Sequence, residues 1–443
     1  MKKYLVFLSV LAVVLFTVTA YAATQVELFG DIRIRAEKND NLTDFQNTGG
    51  TRTLLGYVGG EPVYNCSTPE CYDDNSWYNQ RVRLGAKATI SPKTFGVIEI
   101  ETGTDSHDTW TWEGINSKHS GIGFRQAYIA HTFGDNLATL HVGHMLLSLG
   151  NKLFFDHTKY GDDAALLLVP AGPGNLMALM IKLNEGNTGL NDDVEAYVVG
   201  YNAPINSINI GGEVTYLRWH KQFGFDNGAH LANIGVRADA NLSGAMVKGD
   251  IEYQWGKFGS DASGFSPFGN LSSMDDIKVR AFAAMIGAEI PAGPVSVRAN
   301  AAYGSGDKES SSDKYEGFIN FLGDDQHFTY VYDYKTLTAA GAKDTGLNNT
   351  WYLNAGVTAK PMTDLTMTGD VYFLRAAKKL TDSEDSKAIG TEVDAKVSYQ
   401  LDAGLVYWVE GGYLFAGDMY KNYTGGEDVD NPWSVRHGIQ LTF

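Results

Sequence analysis

Apolar and polar positions alternate with a period of two along most of the chain. Val26, Leu28, Gly30, Ile32 and Ile34 interleave with Glu27, Asp31, Arg33 and Arg35. Val82, Leu84, Ala86, Ala88 and Ile90 interleave with Arg81, Arg83 and Lys87. Val247, Gly249, Ile251, Tyr253 and Trp255 interleave with Lys248, Asp250, Glu252 and Gln254. The pattern returns at Leu353–Thr358 and again at Val393, Ala395, Val397 and Tyr399 against Glu392, Asp394 and Lys396. Successive side chains of a strand point to opposite faces, so this period predicts strands with one apolar and one polar face. A soluble sandwich also alternates. Charges of both signs along one face of so many strands suit a barrel with lipid outside and water inside.

The connections sharpen the architecture. Tight-turn sequences stand at Ser91-Pro92-Lys93, Gly134-Asp135, Ala171–Gly174, Pro204–Asn206, Ser243-Gly244, Pro291–Gly293, Pro361–Thr363 and Asp402–Gly404. Between them lie long polar stretches at about 38–76, 103–121, 149–163, 185–192, 220–228, 257–275, 305–347, 377–387 and 417–431. Eight short turns and nine long loops predict 18 strands, each long enough to cross a bilayer at the usual tilt. The strand around Ala164–Val169 looks apolar on both faces; losing it and a partner would leave 16. The expected class is all-β: a transmembrane, antiparallel, up-and-down β-barrel with short periplasmic turns and long extracellular loops.

The first 22 residues read differently. Lys2 and Lys3 precede an apolar run from Tyr4 to Val18, followed by Ala20-Tyr21-Ala22. This is the plan of a cleaved secretory signal, with residues 23–443 as a single barrel domain. After Ala22 no apolar run reaches the ~20 residues of a spanning helix. The net charge of −17 argues against a nucleic-acid partner. Plentiful aromatic residues suit girdles at the membrane interfaces, and 50 glycines against 11 prolines suit tight turns. The two cysteines, Cys66 and Cys71, lie in a Gly/Asn/Pro-rich stretch, where a local disulfide is the simplest reading in an oxidising compartment; free thiols and a metal site are the alternatives.

The last strand, Trp433–Phe443, carries Val435, His437, Ile439, Leu441 and Phe443 on one face and ends on Phe. It resembles the C-terminal signal that outer-membrane assembly machinery reads. The whole chain after Ala22 resembles a bacterial porin. Ala302-Tyr303-Gly304-Ser305-Gly306-Asp307 and Gly390-Thr391-Glu392-Val393-Asp394 are similar to patterns in the 18-stranded alginate-export type. The resemblance implies the outer membrane of a Gram-negative bacterium and contact with membrane lipid, lipopolysaccharide and small hydrophilic solutes. It also implies a homotrimer, as porins often are.

If apolar positions face lipid, alternation sends Arg33, Arg35, Arg81, Arg83, Lys87, Arg125 and Arg436 inward on strands 1, 2, 4 and 18, which closure makes one basic wall. Strand 3 adds Glu99 and Glu101, and Asp193, Glu195 and Glu213 face them across the barrel. Opposed charge would orient polar solutes; otherwise the same residues pair with neighbours along a wet wall. An 18-strand barrel is too wide for its own side chains to fill. The largest loop is the expected constriction, through Phe318, Phe321, Asp324, Asp325 and His327; a rim or subunit contact is the alternative. Trp77, Tyr128, Trp219, Trp255, Trp351, Tyr407 and Trp433 fall near strand ends and are expected in the girdles.

Enzyme signatures are missing: no haem-attachment motif, no phosphate-binding loop, no Gly-x-Ser-x-Gly. No cofactor or metal is expected; His141 and His144, three apart on a strand, point to opposite faces. Paired loop acids such as Asp73-Asp74 and Asp275-Asp276 lack calcium-loop spacing. The expected function is passive diffusion of small hydrophilic solutes and ions. The alternatives are a selective or export channel for anionic polysaccharide, and a plugged barrel acting as a scaffold or adhesin.

Overall fold

Polar backbone crossing a bilayer must satisfy its hydrogen bonds within the protein, and a closed sheet does so without free edges. A computed structural model of the chain describes residues 24–42, 45, 75–102, 121–185, 193–220, 229–258, 277–307, 313–321, 327–379, 386–422 and 429–443, and the strand backbone of 52–58, 61–66 and 110–111. Eighteen strands form the barrel: β1 (Gln25–Asp40), β2 (Asn75–Ser91), β3 (Thr94–Thr102), β4 (Ile122–Phe133), β5 (Ala138–Ser148), β6 (Asp156–Ala171), β7 (Gly174–Asn184), β8 (Val194–Ile205), β9 (Ile208–Trp219), β10 (Ala229–Leu242), β11 (Ala245–Phe258), β12 (Ile277–Ala292), β13 (Val295–Gly304), β14 (Thr350–Met362), β15 (Leu365–Ala376), β16 (Ala388–Asp402), β17 (Leu405–Ala416) and β18 (Trp433–Thr442). Each pairs antiparallel with the next, and β18 returns to β1 with Ile32 opposite Leu441. The backbones of Phe443 and Gly30 exchange both hydrogen bonds, at 2.9 and 3.1 Å, so the chain end extends the seam that closes the ring.

The turns follow from their residues. Ser243 and Gly244 both take positive φ, 53° and 93°, which a two-residue hairpin of the primed type requires. The doubtful strand is present as β6 and starts at Asp156, so the loop expected at 149–163 is only 149–155. Leu166 and Leu168 face inward there, and Leu167 and Val169 outward. The signal segment and the Cys66–Cys71 pairing lie outside the described residues.

Outward positions form a band of exposed aliphatic and aromatic side chains: Val199, Val214, Ile234, Ile251 and Ile286 lie between 39 and 62% exposed. Water would not tolerate so broad an apolar surface; lipid does. Ile251→Arg, in the middle of β11, is expected to cost about 2–4 kcal/mol, read as a lower urea midpoint for the barrel in lipid. An unchanged midpoint would remove that face from the bilayer core.

The inward face divides into two sectors. On β1–β4 and β14–β18 it is largely polar and charged. On β7–β12 its outer half is apolar, with Ile181, Val198, Leu217, Leu231, Phe258 and Val279 buried. That wall is covered by two loops folded into the barrel, through Leu149, Phe154 and Phe155 from one and Phe318, Ile319 and Phe321 from the other. The cause is hydrophobic: a wide lumen would leave this wall wet, and the loops remove it from water.

This inner core overturns two expectations. Val194, Ala196 and Val198 point inward on β8, so Glu195 faces outward beside the exposed Tyr197 and Val199. Asp193 and Glu195 both bond Lys182 on the outer face at the rim, at 2.6 and 3.3 Å, and neither lines the lumen. The girdle expectation also divides. Trp255, Trp351, Tyr407 and Trp433 lie on the outward face, whereas Trp77 and Tyr128 turn inward and Trp219 is 2% exposed in the inner core.

Candidate functional site: the lumen

The basic wall is built by cross-strand register. Asp31 stands opposite Arg83, and Arg33 opposite Arg81, across the β1–β2 pair. Like charges directly opposed repel, so acids must intervene. Arg81 reaches Asp31 at 2.9 Å. Arg83 pairs with Glu101 and lies 4.0 Å from Asp31. Arg125 bonds Glu99 at 2.9 Å, lies 3.5 Å from Glu101, and donates to the Thr158 carbonyl at 2.7 Å. Arg35 donates to Asn79 at 3.2 Å. Lys87 lies 4.7 Å over the Phe95 ring. Arg436 pairs with Glu410 and sits over Tyr334 at 4.9 Å. Arg81, Arg83, Arg125 and Arg436 thus meet Asp31, Glu101, Glu99 and Glu410 in one ladder of ion pairs on β1–β4, β17 and β18, and Asp31 is the partner that alternation did not single out.

Glu213 is on the inner wall across the barrel, paired with Arg237. Asp250 and Glu252 join it: Asp250 accepts from the Asn151 backbone at 2.9 Å and Glu252 from Asn233 at 2.6 Å. Among the described residues, no group of histidines, cysteines or acids is arranged to hold a metal ion.

The largest loop crosses between these walls. Phe318 and Phe321 are buried. The Phe321 amide donates to the Phe154 carbonyl at 2.7 Å, and its ring meets Trp219 edge-on. Ile319 and the Gln254 side chain of β11 exchange two hydrogen bonds, at 2.8 and 2.9 Å. Further along, the loop reaches the far side. The Val331 and Tyr332 amides donate to the Glu392 carboxylate of β16 at 2.7 and 2.9 Å, and the Tyr330 amide to Asp394 at 3.2 Å. Lys335 pairs with Glu37 of β1 and bonds Asn39 at 3.3 Å. Irregular backbone at membrane depth needs such internal acceptors. The His327 ring packs at a tilt of 44° against Tyr334, with centroids 4.1 Å apart, and lies 3.6 Å from Asp344. Asp324 and Asp325 lie outside the described residues. The docking carboxylates Glu392 and Asp394 were legible only as inward positions of β16.

Asp333, inside this loop, is fully buried. Burial, then the neighbouring Asp344 carboxylate, push its carboxyl well above the usual range. The docked loop thus favours the protonated form. Its contribution is greatest at low pH and is lost as pH rises from about 4 through the raised value. Asp333→Asn should remove that dependence. Hydrogen exchange over 327–349 should show protection falling with pH in the wild type and a flatter profile in the variant; parallel profiles would reject the assignment.

No protein-family model and no curated protein matches the chain. Solved structures do. Pseudomonas aeruginosa OpdL superposes with a TM-score of 0.56 at 9% identity over 95% of this chain and 99% of that one. Pseudomonas aeruginosa OpdQ gives 0.54 at 12% identity over 94% and 98%. A BenF-like porin from Pseudomonas fluorescens gives 0.51 at 10% identity over 94% and 98%. At such identity the likeness is one of fold.

Proposed function

We propose that the chain is an outer-membrane channel through which small hydrophilic solutes and ions diffuse passively. The observation that carries this reading is the division of the strands: an apolar band outside, and a ladder of arginines and carboxylates inside on β1–β4 and β18. A barrel serving only as an anchor has no need of a charged inner wall, and charges retained there favour a wet passage. The BenF-like structure is named a porin, which fits the same reading. The inward loop narrows the passage, and the basic wall sets which ions and polar solutes it admits. The test is single-channel conductance of the purified protein in a planar bilayer under a salt gradient. Steady steps with a non-zero reversal potential are expected. A heat-resistant, β-rich protein that stays silent would leave a plugged scaffold as the better account.

A further inference from the structure

Inside the barrel, below the arginine ladder and toward the short turns, three rings and a lysine come together. Lys87 of β2, Phe95 of β3, Tyr128 of β4 and His141 of β5 stand on adjacent strands. Register brings them level. Lys87 stands opposite Val97 and Val97 opposite Tyr128; Phe95 stands opposite Ala130 and Ala130 opposite His141. Their inward direction follows from strand parity. Leu84, Ile98, Ile129 and Val142, an odd number of residues away on the same strands, are 39–65% exposed on the lipid face. Tyr128 stacks on His141 with centroids 5.7 Å apart, and Phe95 meets the two edge-on at 6.3 and 6.0 Å. The Lys87 ammonium lies 4.7 Å from the centre of the Phe95 ring.

Two features set this cluster apart from the rest of the inner wall. Its polar groups have no protein partner. Among the described residues, the Lys87 ammonium, the Tyr128 hydroxyl and the His141 ring nitrogens make no hydrogen bond or ion pair, although Glu27 stands opposite Lys87 in register. Arg81, Arg83, Arg125 and Arg436, by contrast, are each tied to a carboxylate. Its rings are also uncovered. The two inward loops bury the apolar wall of β7–β12, whereas Phe95, Tyr128 and His141 stay half-buried beside it, with Tyr128 at the edge of that core. Aromatic surface left next to water, with a few convergent polar groups beside it, is the composition of a ligand site.

We propose that this cluster is a docking subsite for a permeating organic anion that carries an aromatic ring. Lys87 takes the anionic group, the Tyr128 hydroxyl and a His141 ring N–H donate to it, and the solute's ring packs on Phe95 and Tyr128. An inorganic anion would satisfy Lys87 but gains nothing from three rings. A neutral sugar needs more hydrogen-bond partners than these three groups supply, and it leaves Lys87 without a counter-charge. Lys87 lies four residues along β2 from Arg83, on the order of 13 Å, so the subsite is separate from the ladder and follows it on the way to the periplasm. The proposal rests on the channel reading above, since a solute must enter the lumen to reach it.

The test is equilibrium dialysis of radiolabelled phenyl phosphate against the detergent-purified barrel. Saturable binding is expected in the wild type. Lys87→Gln should weaken it about tenfold, the scale of one hydrogen bond to a charged group, and Lys87→Arg should retain it. Tyr128→Leu should weaken it about threefold or more through the lost ring contact. Inorganic phosphate and phenol, each half of the probe, should displace it only at concentrations about tenfold higher or more. Undiminished binding by Lys87→Gln, or displacement by either half at the probe's own concentration, would overturn the proposal. So would equal loss in Lys87→Gln and Lys87→Arg while both barrels stay heat-resistant, which would leave the lysine a merely structural part of the wall. Single-channel current through the same preparations keeps the two readings apart. A barrel that binds phenyl phosphate through Lys87 without conducting rejects the channel alone. A conducting barrel whose Lys87→Gln variant binds the probe normally rejects this subsite alone.

Discussion

Replacing residues 327–346 with a short Gly-Ser linker should raise single-channel conductance severalfold while the barrel stays heat-resistant in detergent. The segment packs against β14–β16, β1 and β18, whereas residues 318–321 of the same loop dock near β9 and β11, on the other side of the 18-strand ring. Its far end is held by the Glu392 and Asp394 carboxylates and by the Lys335–Glu37 pair. The deletion leaves Phe318, Ile319 and Phe321 on the apolar wall, so that wall stays covered. The barrel's own ladder is untouched, and its stability resides there. Conductance should therefore change far more than the unfolding midpoint. Lys335→Met is a milder form of the same experiment. It leaves the buried Glu37 with only Arg35, 3.9 Å away, as its cation, a loss below the about 3–5 kcal/mol of fully breaking a buried pair, and should appear as noisy, flickering current. Unchanged conductance in both variants would mean that the narrowest point lies elsewhere.

Reversing the basic wall should have the second large effect. Arg81→Glu with Arg83→Glu places two new carboxylates beside Asp31 and Glu101, where two guanidiniums stood. The local field changes sign, and the reversal potential in a tenfold salt gradient should move toward cation selectivity by a sizeable part of the ideal ~59 mV. The crowding of acids also costs stability, so Arg81→Gln with Arg83→Gln is the companion: same direction, smaller shift. High salt should shrink both shifts through screening. A reversal potential that stays put in both variants would remove this wall from the ion path.

Much of the barrel was legible in the chain. Period-two alternation marked the strands, and the short and long connections in turn gave their number and direction. Where one face was apolar and the other charged, as on β1, β2, β11 and β16, alternation also assigned the inward side, because charge in lipid is costly. Arg81, Glu99 and Glu213 were placed on that ground.

The same rule failed where both faces carry apolar residues. On β8, Val194, Ala196 and Val198 compete with Tyr197 and Val199 for the lipid side, and local pattern holds no information on which set wins. The outcome depended on Leu149, Phe154 and Phe318, distant loop residues that fold in and bury the inward set, so Glu195 was left outside. Trp219 was misplaced for the same reason. The crossing loop has no period to read, and its path is set by single long-range bonds such as Val331 to Glu392. The ring cluster beside Lys87 is likewise invisible in sequence, because Lys87, Phe95, Tyr128 and His141 meet only through the register of four strands. The chain by itself determined a lipid-exposed barrel of 18 strands and its charged inner sector, since both follow from neighbours two residues apart. Tertiary structure alone decided what fills the lumen and which rings gather on its wall, since both depend on contacts between residues far apart in the chain.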